Sequence, residues 1–176
     1  MSTRKPATSA RRPAAAPSPG VTASGPRADL GILLTLALAS FKDRLHFHLA
    51  SAGYEDLGPA YGFVFRSLGE QSLSLAELAV RLAITPQGAL KIVAEMIEHG
   101  YVERRDDVED KRVRRLLLTV RGRAALREAR RFHARAERDL VDQLGAHSVA
   151  AARAVLAALA ATATPDARWG HSARPF

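Results

Sequence analysis

The chain has 176 residues, of which 47% are hydrophobic and none is cysteine. That length suffices for one domain with its own core plus helical extensions, and the lack of cysteine excludes disulfides, thiolate metal sites and cysteine redox chemistry. The net charge of +8 favours a polyanionic partner, nucleic acid before membrane. The most apolar run, residues 30–41, is too short to span a bilayer, so we expect a cytoplasmic, nucleoid-associated protein.

The two ends of the chain differ from the middle. Residues 1–28 combine Ala, Pro, Ser and Thr with five basic residues and no acid, which is typical of a disordered basic arm. This arm is either a solubilising tail or an additional contact to phosphate. Residues 162–176 are expected to form a loose C-terminal tail.

Hydrophobic spacing predicts helices between these ends. Asp29 is expected to cap a first helix that runs to about Ala50. Pro59 suits the first turn of a second helix that ends near Leu68. Ser74 and Glu77 stand three residues apart and form a capping box for a third helix.

The region that follows predicts a DNA-binding motif. A tight turn at residues 83–85 leads into a helix over 85–99, with Thr85 as its N-cap and Gly100 as its C-terminal stop. Strands are expected at 101–105 and 114–120, then helices at 121–144 and 148–161. This order predicts a mainly α fold with a small two- or three-stranded β-wing. We expect a winged helix-turn-helix over residues 58–120, flanked by helical regions at residues 29–57 and 121–161.

In this motif the second helix enters the major groove with its N-terminal residues toward the bases. The candidate DNA contacts on that helix are Thr85, Pro86, Gln87, Gly88 and Lys91. Gln can bond adenine through two hydrogen bonds, Thr can touch a thymine methyl or a phosphate, and Lys suits guanine or phosphate. Glycine can only permit close approach. An ordinary amphipathic helix would show the same division of faces.

The predicted hairpin carries six basic and five acidic residues between positions 103 and 115. An arginine at its tip can enter the minor groove, and Asp110 stands where its carboxylate can orient Arg112. The candidate DNA contacts of the hairpin are Arg104, Asp110, Lys111, Arg112 and Arg114. For Asp106, Asp107 and Glu109 the sequence offers only pairing within the hairpin, and a solvated, self-paired tip is the alternative interpretation.

Residues 73–126 resemble the MarR family of bacterial winged helix-turn-helix transcriptional regulators. The wing pattern that carries the resemblance consists of Asp110, Arg112, Leu118, Thr119 and Gly122. The resemblance implies a homodimer on a pseudo-palindromic operator, with the recognition helix in the major groove and the wing arginine beside the minor groove. It also implies that residues 29–57 and 121–161 form the helical dimerisation region. The chain departs from the family at Gly88, where Ser or Thr is common, and at His46, where an acid is common.

The resemblance also implies a small anionic aromatic effector, bound between the dimer region and the DNA-binding lobe and weakening DNA binding. In this chain it points to His46, Tyr61, Phe65 and Arg131, each of which is alternatively an ordinary structural residue. No cofactor or metal is expected, since His46 and His48 stand two apart and point to different helix faces. No catalytic motif indicates an enzyme.

Two helices are too apolar for the surface of a small monomer, those over residues 30–41 and 148–163. Such helices are usually buried against a partner, the alternative being burial within the chain. Together with the resemblance, the sequence predicts a dimeric, sequence-specific regulator that is a ligand-responsive repressor. The alternative is a nonspecific architectural nucleoid protein, and a third option is a winged helix that binds protein and not DNA.

Overall fold

A computed structural model describes residues 29–107 and 113–162 of the chain. The predicted basic arm, the hairpin tip at residues 108–112 and residues 163–176 lie outside the described residues. The described elements are α1 (Leu30–Ser51), α2 (Tyr61–Leu68), α3 (Leu75–Leu82), α4 (Pro86–Glu98), β1 (Val102–Asp106), β2 (Arg114–Leu118), α5 (Val120–Leu144) and α6 (Ala146–Ala161). The boundary between two compact units falls within α1, after Ala37.

Side-chain hydrogen bonds cap three of the helices as predicted. The Asp29 carboxylate accepts from Ile32 N at 2.9 Å at the start of α1. At α3 the Ser74 hydroxyl accepts from Glu77 N at 3.2 Å, and the Glu77 carboxylate accepts from Ser74 N at 2.6 Å. The capping box is therefore confirmed, because both orphan backbone donors of that turn have their side-chain partners.

Two predicted helix starts differ from the structure. Pro59 precedes α2, which begins at Tyr61, because residues 58–60 form a turn in which Tyr61 N donates to Gly58 O at 3.1 Å. The fixed φ of proline suits such a turn as well as it suits a helix start. α6 begins at Ala146, directly after Gly145 with its positive φ of 84°, and not near Ser148.

The second strand also ends earlier than predicted, at Leu118. Thr119 leaves the strand to cap α5, and its hydroxyl accepts from Gly122 N at 3.0 Å. Thr119 is thus the one residue between the strand and the helix.

β1 and β2 pair antiparallel, with Val102 opposite Leu118 and Asp106 opposite Arg114. A single bridge joins Leu73 to Leu116 on the outer side of β2. The predicted two- or three-stranded wing is therefore a two-stranded hairpin with one bridge to the segment before α3. We call this hairpin, residues 102–118, the wing.

The core of the second unit lies where α2, α3, α4, α5 and the base of the wing meet. Its largest fully buried side chains are Tyr101, Leu78, Met96, Leu116, Val64, Val93 and Val102. Within the same unit, Phe41 of α1 packs edge-on against Phe132 of α5, with ring centroids 5.3 Å apart. None of the helices in the described part of the chain combines the length and apolarity needed to cross a membrane.

Candidate nucleic-acid interface

α4 has one buried face and one solvent face, as the sequence predicts. Ala89, Val93 and Met96 are completely buried on the inner face. Gln87 and Lys91 are exposed on the outer face. Leu90 is also exposed, at 44% of its surface, which the sequence does not predict.

The turn before α4 is held by backbone and side-chain hydrogen bonds. Ala83 adopts a left-handed conformation with φ 51°, and Ile84 N donates to Ala79 O at 3.1 Å. The Thr85 hydroxyl caps α4 by accepting from Gly88 N at 3.1 Å. This use of its oxygen leaves the hydroxyl hydrogen available to a phosphate, because a hydroxyl can donate and accept at once. Thr85 and Pro86 are exposed at the entrance of the helix.

Gly88 lies in the first turn of α4, partly covered by its own cap. A Cβ atom at this position would lie 3.3 Å from Thr85 Oγ1 and 4.0 Å from Ile84 Cβ. A small side chain would therefore fit with an adjustment of a few tenths of an ångström. As it stands, the residue leaves the first turn of the helix without a projecting side chain.

The other end of α4 is anchored in the core. The Tyr61 hydroxyl lies 3.0 Å from His99 Nδ1, at the C-cap of the helix. Gly100 has φ 73°, and Tyr101 N donates back to Met96 O at 2.8 Å. Because both ends of the helix are fixed, its exposed face is presented by a rigid element.

The strands of the wing carry exposed arginines paired with acids of the same hairpin. Arg114 Nη1 lies 2.7 Å from Asp106 Oδ1, and more than half of each side chain is exposed. Arg105 Nη2 lies 2.6 Å from Glu103 Oε1, and Arg104 is exposed on β1. Exposed pairs of this kind contribute little stability, so an arginine can exchange its carboxylate for a phosphate at small cost.

Arg115 connects the wing to α3. Its Nε donates to Asp107 Oδ2 at 2.5 Å and its Nη1 to Glu77 Oε2 at 2.8 Å. The hydrogen bond from Ser74 N, with the nearby charge of Arg115, holds the pKa of Glu77 below its usual value. In the sequence, Arg115 is only one of the six basic residues of the hairpin. Strand alternation does place it opposite the buried face of Leu116 and Leu118, but its partner in α3 is visible only in the fold.

The pairing offered by the sequence for Asp106 and Asp107 is confirmed, with Arg114 and Arg115 as partners. Glu109 lies outside the described residues. So do Asp110, Lys111 and Arg112, and the orientation of Arg112 by Asp110 stays a prediction.

A cluster at the start of α5 holds the base of the wing in place. The Arg121 guanidinium lies 4.8 Å from the centre of the Tyr101 ring, and its Nη2 donates to Asp56 Oδ1 at 3.1 Å. The Tyr101 hydroxyl donates to the same carboxylate. Burial, reinforced by the hydrogen bond to Asp56, raises the pKa of Tyr101 to about 12. Burial also acts to raise the pKa of Asp56, but its bonds with Tyr101 and Arg121 outweigh that and lower it.

The four residues predicted to bind an effector lie in different environments. Tyr61 and Phe65 are buried in the core, with ring centroids 6.4 Å apart. His46 is exposed on α1, and Arg131 is exposed on α5, where its Nη1 donates to Glu128 Oε2 at 2.9 Å. Two of the four are therefore packing residues and two face solvent.

Comparison with known proteins shows a family to which this geometry is similar. The model of the MarR family matches residues 55–113, which contain α2, α3, α4 and the first strand of the wing. The exopolysaccharide II synthesis transcriptional activator ExpG of Rhizobium meliloti is 31% identical over 111 residues, or 61% of this chain. The chain spans 57% of the length of this curated relative.

In this region the chain is similar to the MarR family. Solved structures with the MarR fold include the reduced form of MarR from E. coli, which has a TM-score of 0.60 and 22% identity over 77% of this chain and 98% of its own. FabT of Streptococcus pneumoniae, solved in complex with DNA, has a TM-score of 0.62 and 21% identity over 74% of this chain and 94% of its own. The fold predicted from the sequence is thereby confirmed. MarR-family proteins, to which the chain is similar, are regulators and not enzymes.

Proposed function

We propose that this protein is a sequence-specific DNA-binding transcriptional regulator that acts as a homodimer on a pseudo-palindromic operator. The observation that carries the proposal is the rigid presentation of α4. Its outer face displays Gln87, Leu90 and Lys91, while its inner face and both ends are fixed in the core. A side chain can discriminate between bases only if the element that carries it is held in one position.

The charges of the described lobe support different roles for α4 and the wing in binding DNA. Lys91 is the one cation on the exposed part of α4, whereas the strands of the wing expose Arg104, Arg105 and Arg114. Arginines near the backbone supply affinity that does not depend on sequence. A helix with few charges is suited to reading the edges of bases, which is the source of specificity.

A second copy of the chain is inferred from the exposed apolar surface of α6 and the end of α5. α6 has no buried residue, and Val155, Leu156 and Leu159 keep 43–50% of their surface exposed. Leu140 and Leu144 of α5 are exposed to a similar degree. A helix of this composition is stable in water only when its apolar face is covered. Since α6 is not buried within the described chain, the partner is proposed to be the same surface of a second copy.

The effector and the sign of regulation are part of the same proposal. An aromatic acid would first meet Arg131 and His46, which face solvent, whereas Tyr61 and Phe65 would be reached only by opening the core. A dimer represses transcription when its operator overlaps a promoter, because the bound protein then excludes the polymerase. Since the relative ExpG is an activator, the sign is measured with a reporter fused to the promoter nearest the operator.

The test of DNA recognition is a selection from random-sequence duplex DNA with the full chain. A sequence-specific dimer should enrich one palindromic motif with half-sites about 10 base pairs apart. Its affinity for that motif should exceed that for random duplex by about 1,000-fold or more at physiological salt. Equal affinity for the two duplexes would instead make the protein a nonspecific DNA-binding protein, and no binding at low salt would exclude DNA as its partner.

A further inference from the structure

The outer face of α4 exposes one large apolar residue, Leu90. It is a large apolar side chain, 44% exposed, in the second turn of α4 and at the centre of its outer face. It is not needed for the core, because Ala89 and Val93 beside it already provide the buried face. It is therefore the large apolar group that the outer face can offer to a contact.

The surroundings of Leu90 define what that contact can be. Gln87 stands three residues earlier and Ala94 four residues later, so both lie on the same side of the helix. Lys91 provides a cation at the side of this strip. No acid lies among the exposed residues between Pro86 and Ala94. The outer face thus consists of an amide, followed by an apolar strip, flanked by one positive charge.

We propose that Leu90 is a specificity-determining residue that packs against the C5 methyl group of a thymine in each half-site, beside an adenine read by Gln87. This inference rests on the proposed function, because it requires α4 to lie in the major groove. The thymine methyl is the apolar group on the major-groove edges of the bases, and aliphatic side chains contact it there. Against guanine or cytosine, Leu90 would cover a polar base edge without a hydrogen bond, which is unfavourable.

The spacing along the helix fits two neighbouring positions in DNA. Three residues of an α-helix advance about 4.5 Å along its axis. Successive bases of one strand are separated by about 3.4 Å. Gln87 and Leu90 can therefore reach adjacent base steps when the N-terminal half of α4 enters the groove. The operator half-site is expected to contain adjacent A·T pairs at its centre.

The experiment uses the operator obtained by selection and replaces its thymines one at a time by deoxyuridine. Uracil pairs as thymine does and lacks only the methyl group. At one position in each half-site, the replacement should weaken binding by the wild-type dimer about fourfold, the effect of one buried methyl group. Replacement in both half-sites should weaken it about 15-fold.

Variants assign the effect to Leu90. With Leu90→Ala, the affinities for thymine and uracil at that position should become equal, while Leu90→Met should preserve the preference. Val80→Ala, a change of another exposed apolar residue on the neighbouring helix α3, should leave the wild-type preference intact. Because Leu90 is not a core residue, its truncation should not unfold the lobe, which the melting temperature would confirm.

The outcomes separate this inference from the proposed function. A selected motif whose thymines can all be replaced by uracil without loss would overturn the role of Leu90 and leave sequence-specific binding intact. A thymine preference that persists in Leu90→Ala would assign the contact to another residue. If the selection yields no motif at all, the proposed function fails and the reading of thymine fails with it.

Discussion

Replacing Gly122 by alanine would test how closely α5 packs against Tyr101 at the base of the wing. A Cβ atom at this position would lie 2.1 Å from the carbonyl oxygen of Tyr101 and 3.4 Å from Leu118 Cβ. A carbon and a carbonyl oxygen normally approach no closer than about 3.3 Å. The helix and the strand would therefore have to separate by about 1 Å.

The Tyr101 carbonyl cannot move away without loss. It accepts from Thr119 N at 3.0 Å and lies 3.3 Å from Thr119 Oγ1. Overpacking of this kind costs about 1–3 kcal/mol, and a weakened backbone hydrogen bond costs about 1 kcal/mol more. Alanine regains about 1 kcal/mol of helix propensity over glycine. We expect Gly122→Ala to lower the free energy of unfolding by about 1–3 kcal/mol.

Gly62→Ala is the matched control, because Gly62 is also in a helix but is exposed and has no neighbouring atom within 4 Å of the new Cβ. This variant should be unchanged or stabilised by up to about 1 kcal/mol. Urea unfolding followed by circular dichroism, at one protein concentration for all variants, measures both changes. If Gly122→Ala were as stable as Gly62→Ala, the close contact between α5 and Tyr101 would be refuted.

Two further predictions concern the proposed dimer and the buried Tyr101. Leu156→Glu should give a monomer in light scattering with an unchanged helix content, because half of this side chain is exposed and a carboxylate cannot be buried in an apolar interface. A dimer of wild-type mass would contradict the α6 interface. Tyr101→Phe should lower stability at neutral pH by about 1–2 kcal/mol, since the hydroxyl is bonded to Asp56 and Arg121. The tyrosine pKa of about 12 in the folded state exceeds the ordinary value of 10.0, so its contribution is complete below pH 10 and is lost as the pH rises toward 12. Wild-type protein should therefore lose up to about 3 kcal/mol more than Tyr101→Phe over that interval. Unfolding experiments at pH 10 and pH 12 measure the stability that each protein loses. Equal losses for the wild type and Tyr101→Phe would refute the raised pKa.

The elements of the fold that can be predicted from sequence are those made by neighbouring residues. The caps at Asp29, Ser74 and Thr85 each join residues three positions apart, so their spacing alone indicates where a helix starts. The division of α4 into two faces follows in the same way from the helical repeat. These local signals, with the charged hairpin, suffice for a winged helix-turn-helix and for most of its candidate contact residues.

Other features depend on residues that are distant along the chain. Arg115 meets Glu77 across 38 positions, and Arg121 meets Asp56 across 65. No local pattern specifies such pairs, because they form only after the helices have packed. The same holds for Leu90, which stands three residues before the buried Val93 and satisfies the helical repeat on either face. Its exposure follows from how far the core reaches around α4, and this depends on the packing of α3 and the base of the wing against that helix.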